Sequence, residues 1–186
     1  MCFDGICSYS LVELGISQLY LSEEKIRKVK TWFCPEDQEK LEPLPVHDFG
    51  NGRYTLTDGH SRAYVALQYG ISHIPVIYDR DEMVAGAIGK RLYERNIDWC
   101  RRFGLYTVAH LSNRIVNQEE YQRLWIRRCD RSYCLLTHFS EQERKEMERS
   151  FKGLFLYGIS DDFLTLYLEN AQGDLFQFNN GDIIHE

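Results

Sequence analysis

Apolar and polar positions along the first half of the chain switch repeatedly between strand-like and helix-like spacing. Residues 1–15 have weak periodicity and read as a lead-in. Ile16, Leu19 and Leu21 mark a strand over Ile16–Leu21. Ser22 then opens a helix as an N-cap, with Glu23 and Glu24 in the first turn. Ile26, Val29, Trp32 and Phe33 recur at i, i+3 and i+4 and give that helix its apolar face, and Pro35 stops it. Pro43–Phe49 reads as a strand whose prolines mark an edge, and Asn51-Gly52 is a hairpin signal joining it to Arg53–Thr57. Asp58-Gly59-His60 is a polar turn. Ala63, Ala66, Leu67 and Gly70 predict a helix beginning at Ser61, and Ile74–Tyr78 is a further apolar strand.

From Asp81 the spacing becomes helical. Met83–Phe103 carries Ile88, Leu92, Ile97 and Trp99 and ends at Gly104; Thr107–Val116 and Gln118–Tyr133 follow. Ser140–Arg149 is a charged, solvated helix. Leu154–Tyr157, Phe163–Glu169 and Leu175–Phe178 are strand-like, with turn signals at Gln172-Gly173 and Asn180-Gly181, so an antiparallel meander is expected there. The aromatic side chains Tyr157, Phe163, Tyr167, Phe176 and Phe178 are assigned to the core of that meander rather than to a partner surface. The fold class is α+β. The chain divides into a compact unit at 16–80, a helical extension at 81–149 and an acidic β-rich tail at 150–186.

Charge changes this picture at the far end. The chain carries a formal net charge of −6, and from Gly153 onward it has acidic residues but neither Lys nor Arg. Such a tail is repelled by DNA and by anionic membrane surfaces. The helix 118–133 nets only +1, which argues against a recognition helix that reads DNA. No apolar run approaches the roughly 20 residues that span a bilayer, and the N-terminus does not have the form of a signal peptide, so a cytoplasmic protein is expected. In that compartment the six cysteines are expected as reduced thiols. Cys2/Cys7 and Cys129/Cys134 share a spacing, but it is looser than usual zinc spacing, and no metal is assigned to them.

The richest chemistry lies where the strand Arg53–Thr57 hands over to the helix. A helix N-terminus has unpaired amides and the positive end of the helix dipole, so it attracts anions. Gly59 lets the backbone approach a ligand, and Arg62 offers a forked donor suited to phosphate. Gly59, His60, Ser61 and Arg62 are therefore assigned to an anion, and Asp58 and His60 to any chemistry performed on it.

The run Gly50-Asn-Gly-Arg-Tyr-Thr-Leu-Thr-Asp-Gly-His-Ser-Arg-Ala63, followed by Gly70-Ile-Ser-His-Ile-Pro-Val-Ile77, resembles the ParB/sulfiredoxin superfamily over roughly residues 16–80. That resemblance implies a small mixed sheet with helices. Partition proteins of the superfamily carry Gly-Glu-Arg-Arg at the turn and bind nucleoside triphosphates; Gly59 and Arg62 keep its first and last residues. Sulfiredoxin carries a reactive cysteine where His60 stands, so its chemistry is excluded. Asp58-Gly59-His60-Ser61-Arg62 is most similar to the subgroup with Asp-Gly-His-x-Arg, which includes kinases acting on free serine, and Glu23 stands where those kinases place an acidic residue that serves the reaction. The resemblance implies a nucleotide (ATP, ADP or CTP) with Mg²⁺ as cofactor and a small-molecule acceptor. Phosphotransfer or nucleotide hydrolysis is the leading expectation, ahead of a DNA-linked partition or nuclease role and of a non-catalytic adaptor.

Overall fold

The computed structural model describes residues 5–36, 41–50 and 52–179. By compactness the chain forms two units, Met1–Trp125 and Ile126–Glu186. The sequence places its boundaries near 80 and 149 instead. The difference comes from packing: the helices after residue 81 join the core of the first unit, while the later ones join the C-terminal strands.

The first unit holds β1 (Cys7–Ser10), β2 (Leu21–Ser22), α1 (Glu23–Trp32), β3 (Leu44–Asp48), β4 (Tyr54–Leu56), α2 (His60–Gln68) and β5 (His73–Tyr78). After these come α3 (Glu82–Ala85), α4 (Ala87–Arg102), a 3-10 helix at Val108–Asn113, β6 (Ile115–Val116) and α5 (Gln118–Tyr121), which runs on into a π-helical turn, Gln122–Ile126. Four strands form a mixed sheet in the order β1-β5-β3-β4: β3 runs parallel to β5, and the other pairs are antiparallel. Leu44, Val46, Leu56, Ile74 and Val76 are buried on this sheet. Phe49, Val84 and Ile97 form a further cluster that holds α3 and α4 to the unit.

Beside the sheet, Gly15 pairs with β4: its N–H donates to Tyr54 O at 2.8 Å, and its carbonyl accepts from Leu56 N–H at 3.0 Å. A Cβ at Gly15 would lie 2.7 Å from Thr55 Oγ1, so the approach requires glycine. This pairing carries Ser17 alongside the end of β4, where Ser17 Oγ donates to Leu56 O at 2.7 Å.

The second unit holds α6 (Arg127–His138), α7 (Glu141–Arg149), β7 (Phe155–Ile159), β8 (Thr165–Glu169) and β9 (Leu175–Asn179). The strands form an antiparallel sheet in the order β7-β8-β9. Leu135 of α6 packs with Leu156, Ile159, Leu166 and Leu168, and Phe163, Phe176 and Phe178 close over this cluster. The α+β class and the C-terminal meander are thus both present.

Several elements differ from expectation. The lead-in contains β1, an edge strand whose Ser8 and Ser10 give no apolar alternation. Between Ile16 and Leu21 only the last residue is strand, because within that stretch it is Leu21 that has a ladder partner, Ile115 of β6. Gly86, in extended conformation, splits the helix 83–103 into α3 and α4. The stretch 107–116 is a 3-10 helix followed by β6, which pairs in parallel with β2. The helix from Gln118 passes through the π-helical turn and runs on to His138. Phe163 has φ 61° and sits in the turn before β8, not in the strand. Asn51 and the turn Asn180-Gly181 lie outside the described residues.

Cys7 is disulfide-bonded, contrary to the expectation of thiols throughout; a bond of that kind depends on where the backbone brings two sulfurs, which composition does not report. Cys34, Cys100, Cys129 and Cys134 are not in disulfides, and Cys2 lies outside the described residues. Among the described residues no helix is long and apolar enough to cross a membrane.

Candidate functional site: the N-terminus of α2 and its cavity

β4 ends at Leu56, and the chain turns through Thr57, Asp58 and Gly59 into α2. Gly59 is the cap, with φ 77° and ψ 16°, so the helix starts at His60, one residue before the expected position. A Cβ at Gly59 would lie 2.6 Å from Leu44 Cδ2, so both conformation and space call for glycine here. The first bond within the helix runs from Ala63 N–H to Gly59 O at 2.9 Å. The amides of His60, Ser61 and Arg62 precede it and have no acceptor within the helix, and no side chain caps this end. The dipole of α2 adds a partial positive charge at the same place.

His60 is 3% exposed. Its Nε2 accepts a hydrogen bond from the Ser17 amide at 3.1 Å. Burial pushes its pKa down to about 4; nearby Lys25 pushes the same way, and Asp58 pulls it upward. The ring is therefore neutral at neutral pH. Its other nitrogen, Nδ1, is buried and has no hydrogen-bond partner among the described residues.

The Arg62 side chain is 21% exposed and lies 3.4 Å from Glu42 Oε2 and 3.7 Å from Asp58 Oδ2. Both carboxylates are more than four-fifths exposed, and such pairs contribute little in water. The guanidinium keeps donors for a stronger partner.

α1 packs against α2 and supplies the opposite wall. Lys25, Lys28, Val29 and Trp32 fall at i, i+3, i+4 and i+7, so they share one face. With Gln18 and Asp58–Arg62 they line a cavity of about 310 Å³. Lys25 is steadied there by Tyr121: its Nζ lies 5.0 Å from the ring centre and 3.4 Å from the hydroxyl. Gln18 Nε2 donates to the same hydroxyl at 3.1 Å. Lys28 pairs with Glu24 at 2.7 Å on the solvent side. The cavity wall thus carries three cations, Lys25, Lys28 and Arg62, against one carboxylate, Asp58.

Five of the six residues assigned from sequence, Asp58, Gly59, His60, Ser61 and Arg62, line this cavity. Glu23 is exposed and is not part of its lining. Helical geometry explains this: Glu23 precedes Lys25 by two residues, and residues two apart on a helix do not share a face. Sequence reasoning missed Lys25 and Lys28, whose signal was two cations three residues apart on α1. It placed Trp32 in the core, whereas its side chain is 53% exposed and lines the cavity. Gln18 and Ser17 left no signal, because their places depend on the pairing of Gly15 with β4.

A larger cavity of about 630 Å³ lies in the second unit, lined by Arg127, Asp130, Arg131, Ser160, Asp161, Asp162 and Tyr167. Its charges are mixed, and none of the buried unpaired polar atoms belongs to its lining. The α2 cavity has an excess of cations, three against one carboxylate, and His60 among its lining residues has a buried nitrogen with no partner among the described residues, so it is the candidate site. Among the described residues no group of three or more His, Cys, Asp or Glu side chains is arranged to hold a metal ion.

No family model matches this chain, and no curated protein does. Among solved structures, the crystal structure of protein Atu1540 from Agrobacterium tumefaciens is similar over 50% of this chain and 49% of that one, at 18% identity and a TM-score of 0.34. The chain spans about half the length of that protein. Similarity at this level says nothing about what the cavity binds.

Proposed function

We propose that this chain is a ParB/sulfiredoxin-like protein that binds the phosphates of a nucleotide at the N-terminus of α2. The observation that carries the reading is the convergence of three uncapped amides and three cationic side chains on one cavity. Backbone amides and the helix dipole suit phosphate oxygens, and Arg62 can hold two of them at once. Lys25 and Lys28 face the same space from α1 and balance the charge of further phosphates. Trp32 and Val29 give the cavity an apolar flank against which a base can rest. Asp58 is the carboxylate of the lining, and Mg²⁺ typically takes one or two carboxylates together with phosphate oxygens, so the site fits an ion brought in with the nucleotide.

Glu23 lies outside the lining, which favours a binding role over phosphoryl transfer with Glu23 as the base. For a phosphotransferase or hydrolase, Asp58 is the residue left to orient a hydroxyl or water. A thermal-shift screen of ATP, ADP and CTP with Mg²⁺ against adenosine and cytidine tests the binding. A ligand that binds only the folded state stabilises it by ~2.7 kcal/mol at a hundredfold excess over Kd. The nucleotides should raise Tm and the nucleosides should not. Equal shifts from both would remove the phosphate reading.

A further inference from the structure

We propose that the helical extension beginning at residue 81 completes this site: α5 fixes Lys25 at the cavity wall, and Tyr121 is the positioning residue through which it does so. This rests on the reading of the cavity as a phosphate site. The resemblance that singles out Asp58–Arg62 covers roughly residues 16–80, and α5 lies beyond it.

The link from α5 to α1 begins in the backbone. β2 and β6 pair in parallel with Ser22 opposite Val116, so the start of α1 lies beside the start of α5. Ser22 is the N-cap of α1. Its Oγ accepts from the Lys25 amide at 3.3 Å and donates to Gln118 Oε1 at 3.1 Å. Tyr121 stands three residues after Gln118 and shares its face of α5. There it meets the Lys25 side chain, whose Nζ lies 5.0 Å from the centre of the ring and 3.4 Å from the hydroxyl. The same hydroxyl accepts from Gln18 Nε2 at 3.1 Å. Lys25 is thus tied to α5 twice, through its backbone amide and through its ammonium.

Tyr121 is 2% exposed and is not part of the cavity lining, whereas Lys25 and Gln18 are. It therefore acts on a ligand through those neighbours and not by contact. A lysine loses rotamer freedom when it takes hold of an anion. The ring and hydroxyl of Tyr121 attract the ammonium beforehand, so part of that loss is met before the ligand arrives. Nζ has three N–H donors; the hydroxyl takes one, and the others remain for phosphate oxygens. Lys28 is held differently, by the Glu24 carboxylate at 2.7 Å, with which an anion has to compete. Lys25 is the cation of α1 that α5 makes ready.

The test uses the whole chain, with inorganic pyrophosphate as probe in calorimetric titrations. Lys25→Met should weaken binding roughly tenfold. Tyr121→Leu should weaken it about fivefold, and Tyr121→Phe, which keeps the ring and loses the hydroxyl, about threefold. With Lys25→Met already in place, both Tyr121 changes should lose most of their effect. Equal losses with and without Lys25 would make Tyr121 a packing residue only and overturn the proposal. So would wild-type affinity in both Tyr121 variants. A second readout needs no variant: in the wild type labelled with ¹⁵N-lysine, the Lys25 Nζ signal should move as pyrophosphate binds, and a signal unmoved at saturation overturns the proposal as well. If binding depends on Arg62 but on neither Lys25 nor Tyr121, only the role of α5 falls. If no pyrophosphate binds the wild type, the phosphate site falls with it.

Discussion

His60 is buried where its Nε2 accepts from the Ser17 amide, 43 positions away in the chain, and that burial makes the fold sensitive to acid. In the unfolded chain the ring takes a proton near 6.5, whereas in the folded protein burial delays this to about 4. Between those values the unfolded state holds more protons, so stability rises with pH and is lost as pH falls from 6.5 toward 4. The gap corresponds to roughly 3 kcal/mol for a fully buried ring. Urea unfolding at intervals between pH 4 and pH 7 should show this loss in the wild type and a flatter profile in His60→Asn. Parallel profiles would mean that the folded ring takes up its proton as readily as the unfolded one. The sequence singled out His60 by its neighbours Asp58 and Arg62, but nothing in it announced burial. Burial depends on the packing of distant stretches around the ring, among them Ser17, whose amide bonds to it.

Between elements, the strongest polar link in the second unit joins α6 to β8. Arg128 and Glu169 are both about nine-tenths or more buried and meet through two hydrogen bonds of 3.0 and 2.6 Å. The Arg128 guanidinium also lies 4.5 Å from the centre of the Tyr157 ring. Removing one partner leaves a charge in the interior, so Glu169→Ala should destabilise the protein by about 3–5 kcal/mol in denaturant unfolding. Replacing both, with Arg128→Met and Glu169→Leu, should recover most of the loss, since two buried charges are exchanged for packing. A Glu169→Ala variant within about 1 kcal/mol of wild type would show that water reaches the pair.

Elements with strong local periodicity were legible from sequence. α1, α2, β5 and the meander follow their spacing closely, because each keeps one face in the core. β1, β2 and β6 were not, since each is short and is a strand only because a distant partner pairs with it. The break at Gly86 and the π-helical turn also follow from packing that the spacing does not carry.

Across the first unit, the candidate site draws on two stretches of very different legibility. Asp58–Arg62 is contiguous, so its chemistry could be read directly, down to the glycine that the turn requires. The facing wall, Lys25 to Trp32, belongs to the site only because α1 packs on α2. The family resemblance points to Glu23 at the acidic start of α1, whereas the residues of α1 that line the cavity are Lys25, Lys28, Val29 and Trp32. A cavity rich in donors and cations, with one carboxylate, suits an anion, and anion binding is the central claim of the proposal. The direct test is calorimetric titration of Mg²⁺–ADP into the wild-type protein and into Arg62→Ala. Binding to the wild type, weakened in the variant by ~1.5–3 kcal/mol as expected for a charge-assisted hydrogen bond, is the predicted result. No heat of binding to the wild type at millimolar nucleotide, or equal affinity in Arg62→Ala, would contradict it.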